Sequence, residues 1–209
     1  MSKDKLSYKM TLLGDTGVGK TSLFKKLVKG IYEEKAVSTI GIDKKTLNFK
    51  INTSDGEKDI EIILFDTAGQ EKFRSISVNY FRGSKGLIML YDITRNETFQ
   101  NLGDWSKDII DNLGQKENYL IILLGNKSDI VDQNPEKRQV EESDAKKYCM
   151  NNNILWGGEC SAKVFDVDKL RSLFKEFIEE MYKKVGDCNV KEKEATLSKS
   201  NAKKKKGFC

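Results

Sequence analysis

Gly14-Asp15-Thr16-Gly17-Val18-Gly19-Lys20-Thr21 fits the pattern G-x-x-x-x-G-K-[ST] without a gap, and no other run constrains the fold as much. Its glycines let the backbone curl until successive N–H groups face one concavity, to which a following helix adds the positive end of its dipole. That concavity suits a phosphate. Lys20 supplies a cation for β- and γ-phosphates, and the Thr21 hydroxyl is placed to hold Mg²⁺. The flanks agree: Tyr8 to Leu13 has a strand-like pattern, and Ser22 to Val28 has the i, i+3, i+4 apolar spacing of a helix. A phosphate loop alone does not separate ATPases, kinases and GTPases.

The 209 residues suit one domain plus an extension, and a charged fraction of 33% leaves no apolar run of transmembrane length. The N-terminus Met1-Ser2-Lys3-Asp4-Lys5-Leu6 has no apolar stretch and no glycine at position 2, which argues against secretion and N-terminal acylation. There is no histidine, so His-based triads, zinc–His sites and His general bases are excluded. The four cysteines are scattered without C-x-x-C spacing, and Cys149 and Cys160 are expected to be small buried filler.

Of the net charge of +5, residues 186–209 carry +4, from seven lysines and three acids. The body is near neutral and the tail basic, the reverse of a folded nucleic-acid-binding domain. This places a domain over 1–185 and a flexible tail over 186–209.

Along the body, residues 30–41 have no periodicity and read as a loop. Ile42 to Asn52 and Asp59 to Asp66 read as two strands of a hairpin around Thr53-Ser54-Asp55-Gly56, with Asp-Gly as the turn signal. Asp66 ends an apolar strand, where open α/β sheets bind ligands. Further strands are expected over Gly86 to Asp92, Tyr119 to Gly125 and Ile154 to Cys160. Helices are expected over Glu97 to Leu113, Val140 to Met150 and Asp166 to Lys184, with a loop around Pro135. Strands alternating with helices imply right-handed crossovers. The expected fold is a single α/β P-loop domain: a six-stranded, mostly parallel sheet with one antiparallel edge strand and helices on both faces.

Base recognition decides among the nucleotide enzymes. Asn126-Lys127-Ser128-Asp129 follows an apolar strand, and an aspartate there accepts both the N1–H and the exocyclic amine of guanine, a donor pair adenine lacks. A kinase or ATPase reading requires this N-K-S-D to be accidental.

With these two motifs the chain resembles a Ras-superfamily small GTPase, and the other pieces follow in that family's order. Asp66-Thr67-Ala68-Gly69-Gln70-Glu71 resembles its magnesium and water-positioning segment, and Glu159-Cys160-Ser161-Ala162-Lys163 its last base-recognition loop. Thr39, followed by Ile40-Gly41, matches the first switch threonine. Lys72-Phe73-Arg74-Ser75-Ile76, Tyr80-Phe81-Arg82-Gly83, Leu90-Tyr91-Asp92-Ile93-Thr94 and Ile40-Gly41-Ile42-Asp43 are similar to Rab segments.

The resemblance implies a GTP/GDP site made by Asp15, Thr16, Gly17, Val18, Gly19, Lys20, Thr21, Ser22, Tyr32, Thr39, Gly69, Asn126, Lys127, Asp129, Ser161, Ala162 and Lys163. It implies Mg²⁺ at Thr21, Thr39 and Asp66, and Gln70 as the catalytic residue that orients water. Thr16 stands where Ras often has glycine and Rabs serine, so its bulk crowds an incoming arginine. Ile40, Gly41, Ile42, Asp43, Lys44, Phe65 and Tyr80 correspond to the effector surface. Lys44 and Phe65 there replace a usual phenylalanine and tryptophan, a departure that keeps open a fixed binding module in place of a switch.

The resemblance further implies an exchange factor, an activating protein, effectors and a prenyl-binding chaperone, acting on a monomer that cycles between cytoplasm and an intracellular membrane. The chain ends in Lys203-Lys204-Lys205-Lys206-Gly207-Phe208-Cys209, with one cysteine in place of the usual Rab pair and no C-a-a-X box. Prenylation of Cys209 together with the lysines makes the two signals that a stable anchor needs.

Overall fold

The computed structural model describes residues 6–33, 42–67, 81–114 and 118–186. Strand β1 (Leu6–Leu13) leads through the glycine-rich loop into α1 (Lys20–Lys29). A long hairpin, β2 (Ile42–Thr53) and β3 (Gly56–Thr67), is followed by β4 (Gly86–Asp92), α2 (Asn96–Gln100) and α3 (Leu102–Leu113). Then come β5 (Leu120–Asn126), α4 (Ser128–Gln133), a 3₁₀ turn (Pro135–Lys137), α5 (Glu142–Asn152), β6 (Leu155–Cys160) and α6 (Val167–Val185).

The sheet order is β2-β3-β1-β4-β5-β6. All neighbours pair in parallel except β2 with β3, the antiparallel edge expected from the hairpin. Every residue of β4 and β5 is buried, because both faces of these near-continuously apolar strands are covered by helices. Side-chain alternation sends Ile88 and Leu90 of β4 to the face packed by α1 and α6, and Leu87, Met89 and Tyr91 to the face packed by α3 and α5. β2, at the edge, buries only Leu47, Phe49 and Ile51.

Helix α6 buries Leu170, Phe174, Phe177, Ile178 and Met181, one stripe at helical spacing. Its first turn is capped by Asp166, whose Oδ1 accepts from the N–H groups of Asp168 (2.9 Å) and Lys169 (3.1 Å). Cys149 and Cys160 are buried free thiols, and burial pushes them up to about 11 and about 12, so both are unreactive filler.

Some of these expectations need correction. The helix expected over Glu97 to Leu113 is two helices that meet at Asn101. The i, i+3 spacing of Phe99, Leu102 and Trp105 runs across the break, so periodicity could not reveal it. The loop around Pro135 holds α4 and the 3₁₀ turn, in which Val131 is the one buried residue, too little for a periodic signal. The hairpin does turn within Thr53-Ser54-Asp55-Gly56, with Ser54-Asp55 at the tip and Gly56 paired to Thr53 at φ +107°. The strand over Tyr119 to Gly125 and the helix over Val140 to Met150 lie one and two residues further along.

Candidate nucleotide site

The site lies at the carboxyl ends of β1, β3, β4 and β5, where the helices leave the sheet. Gly14, Gly17 and Gly19 hold the loop at φ +132°, +78° and +101°. A Cβ on Gly14 would lie 2.3 Å from the Leu90 carbonyl oxygen, and one on Gly19 would lie 2.1 Å from Asn126 Nδ2. The loop is therefore pressed against β4 and against the base-recognition strand. Lys20 is buried and folds its Nζ back onto the carbonyls of Gly14 (2.6 Å) and Asp15 (2.8 Å), at the mouth of the curl. Thr16, Val18 and Ser22 belong to the same loop and first turn, and Val18 is fully buried.

Asn126 joins the two halves of the site. Its Nδ2 donates to the Val18 carbonyl (2.7 Å), and its Oδ1 accepts from the Ala162 N–H (3.1 Å). Ser161, fully buried, donates to Asp129 Oδ1 (2.6 Å) and accepts from the N–H groups of Lys163 (3.1 Å) and Val164 (3.2 Å). Asn126 is thus bonded to Ala162, and Ser161 to Asp129 and Lys163, with one Asp129 carboxylate oxygen engaged by Ser161. Tyr32, three residues past the end of α1, is 36% exposed.

Lys127 takes the left-handed conformation, φ +74°, and its Nζ pairs with Asp92 Oδ2 at 2.6 Å. Asp92 was not among the expected site residues. Its Oδ1 accepts from the N–H (3.0 Å) and hydroxyl (2.6 Å) of Thr94, and its Oδ2 from Arg95 Nε (3.1 Å). Burial opposes its ionisation, but the bonds from Lys127 and Thr94 with the lysine's charge outweigh it and hold the carboxyl below its usual range. The available signal was its place at the end of an apolar strand, the same clue that marked Asp66.

Asp66 is fully buried at the end of β3, accepts from the Thr21 hydroxyl at 2.7 Å, and leaves Oδ1 without a hydrogen-bond partner among the described residues. Burial raises its carboxyl to about 6, against the Thr21 bond and the Lys20 charge, which lower it. An orphaned carboxylate oxygen beside a hydroxyl is a hard oxygen donor set of the kind Mg²⁺ takes alongside substrate phosphates. The residues present fit that ion. A group whose pKa rises on folding stabilises below its unfolded value and loses that contribution as pH rises through its folded value. In nucleotide-free protein with chelator, Asp66→Asn should therefore remove a stability loss of about 3 kcal/mol between pH 4 and pH 8, measured by urea unfolding. An unchanged pH profile would refute this.

On the sheet surface, Asp43 and Lys44 are exposed and Ile42 and Phe65 half-buried. Phe65 pairs in register with Lys44 and lies 4.5 Å beneath Lys9 Nζ, so two lysines flank it. Thr39, Ile40, Gly41, Gly69, Gln70, Tyr80 and Cys209 lie outside the described residues. No described helix is long and apolar enough to cross a membrane.

The family model "Ras family" matches residues 9–183. The GTP-binding protein ypt1 of Schizosaccharomyces pombe is 41% identical over 148 residues, 70% of this chain and 68% of that protein. Ras-related protein Rab-13 of Canis lupus familiaris is 41% identical over 157 residues, 75% and 71% of the two chains. Ras-related protein Rab11B of Nicotiana tabacum is 33% identical over 178 residues, 85% and 76%. The chain belongs to the Ras family of small GTPases, within its Rab branch, and is an enzyme that hydrolyses GTP.

Proposed function

We propose that this GTPase is a Mg²⁺-dependent switch in vesicle traffic, slow on its own and accelerated by an activating protein. The observation that carries it is the Asn126 bridge, which makes one site of a phosphate loop and a guanine-type base loop. Loop amides and Lys20 bind the β- and γ-phosphates, Asp129 with Asn126 and Ala162 recognises the base, and Tyr32 packs across it. Mg²⁺, when bound, supplies charge neutralisation on the phosphates; Thr21, Thr39 and Asp66 would hold it.

Gln70 orients the water that attacks the γ-phosphorus, and the bond to the bridging oxygen breaks to release GDP and phosphate. Turnover from these groups is about 10⁻⁴ to 10⁻³ s⁻¹, and an activating protein adds about 10⁵-fold. Thr39 and the Gly69 N–H tie two loops to the γ-phosphate, so its loss changes the surface that effectors read. An exchange factor reloads the site. Prenylation of Cys209, carried by a prenyl-binding chaperone in the cytoplasm, and the four lysines before it anchor the tail at a membrane.

The test is fluorescent GDP displacement by GTP, GDP and ATP with and without Mg²⁺, then single-turnover hydrolysis. GTP and GDP should displace, ATP should not, and Gln70→Leu should slow hydrolysis at least tenfold with binding unchanged. Guanine binding without hydrolysis would favour the fixed module, and equal displacement by ATP would refute the assignment.

A further inference from the structure

Asp15 lies inside the phosphate-loop motif, yet both of its carboxylate oxygens are taken by the start of α3. Oδ2 accepts from Asn101 Nδ2 at 2.7 Å, and Oδ1 accepts from the indole Nε1–H of Trp105 at 2.9 Å. Asp15 is 6% exposed and Trp105 2% exposed, so the indole bond is buried, while the bond from half-buried Asn101 is partly so. A carboxylate only accepts, which obliges Asn101 to present its amide nitrogen. The next residue is held from the same neighbourhood, because the Thr16 carbonyl accepts from Arg95 Nη2 at 2.9 Å. Arg95 is itself fixed through Nε to Asp92, the partner of Lys127.

We propose that Asp15 is a positioning residue: bonded to Asn101 and Trp105, it braces the phosphate loop on α3 in its phosphate-ready shape and slows nucleotide release. This rests on reading the site as a guanine-nucleotide site. The loop joins β1 to α1 through three glycines at positive φ, a backbone with many accessible shapes once unpinned. Lys20 pins it through the carbonyls of Gly14 and Asp15, but that same ammonium must serve the phosphates. The Asp15 bonds make no such demand on the nucleotide, so they hold the loop before, during and after binding. Their worth is preorganisation, which spares the complex the cost of ordering the loop. Such a loss is read mainly in the dissociation rate. The Asn101 donor is also the residue at which the two helices α2 and α3 meet.

The test compares release of fluorescent GDP, and competition by guanosine at millimolar concentration, for the full chain and its variants. Asp15→Ala should release GDP about tenfold faster, because the buried Trp105 indole and the half-buried Asn101 amide both lose their acceptor. Guanosine has no phosphate, so its affinity should stay within about twofold. A general loss of structure would weaken guanosine as well. The double exchange Asp15→Asn with Asn101→Asp restores every bond, since the amide placed on the loop then donates to the carboxylate placed on the helix and accepts from Trp105. It should bring release back to within about threefold of the unaltered chain.

If Asp15→Ala does not yield folded protein, Trp105→Phe keeps an aromatic ring in α3 and removes the indole donor, and it should speed release about threefold. Release unchanged in the single variants, a parallel loss of guanosine, or no rescue by the exchange would overturn the brace. Failure of the unaltered chain to prefer GDP over ADP would remove the reading beneath it, a result distinct from these.

Discussion

Replacing Asn126 with alanine is expected to weaken GDP binding by about 10²- to 10³-fold, measured by titration with fluorescent GDP. The side chain is 2% exposed and serves two loops at once. Its removal strands the Val18 carbonyl on the phosphate loop and the Ala162 N–H on the base loop, both bonded to it now. Each stranded buried group costs about 1–3 kcal/mol, and the pair together accounts for the predicted factor. The contact with Gly19 is equally close, since a Cβ there would lie 2.1 Å from the Asn126 amide nitrogen. Glycine at 19 and asparagine at 126 are fitted to each other. A change of less than threefold in GDP affinity would show that the two loops hold their shapes independently.

Gly14→Ala is expected to destabilise the fold by about 3–5 kcal/mol, a fall in Tm on the order of 10 °C in a domain of this size. Two causes combine. The position needs φ +132°, which a residue with a Cβ rarely adopts, and that Cβ would meet the Leu90 carbonyl oxygen at 2.3 Å. Leu90 is fully buried in β4 and paired in register with Leu124 of β5, so it has little room to retreat. Gly103, in the first turn of α3, is the control: nothing lies within 4 Å of its Cβ, so Gly103→Ala should be neutral or stabilising by up to about 1 kcal/mol. Urea unfolding of the two variants checks both, and a Gly14→Ala variant as stable as its parent would refute the close packing of loop on strand.

Much of the fold could be read in the sequence because its signals are local. Strands β4 and β5 are buried on both faces, so nearly every residue is apolar, and α6 buries one stripe at helical spacing. The glycine-rich loop and N-K-S-D were legible for a similar reason: their chemistry needs fixed residue types at fixed spacing. The break at Asn101 was not legible, because apolar spacing continues through it. Helix α4 was missed because six residues with one buried side chain leave no periodic trace.

The sequence by itself determined where the phosphate-loop and N-K-S-D motifs stand, because three glycines, Lys20, Thr21, Asn126 and Asp129 are recognised by residue type and spacing alone. Only the tertiary structure decided what holds those groups in place. Asp15 looks like part of the phosphate cradle, yet its carboxylate serves Asn101 and Trp105, some 90 residues away in sequence. Asp92 looks like the end of a strand, yet it gathers Thr94, Arg95 and Lys127. The physical reason is that a hydrogen bond depends on where two atoms lie in space, and for residues on different strands and helices the sheet order sets that distance.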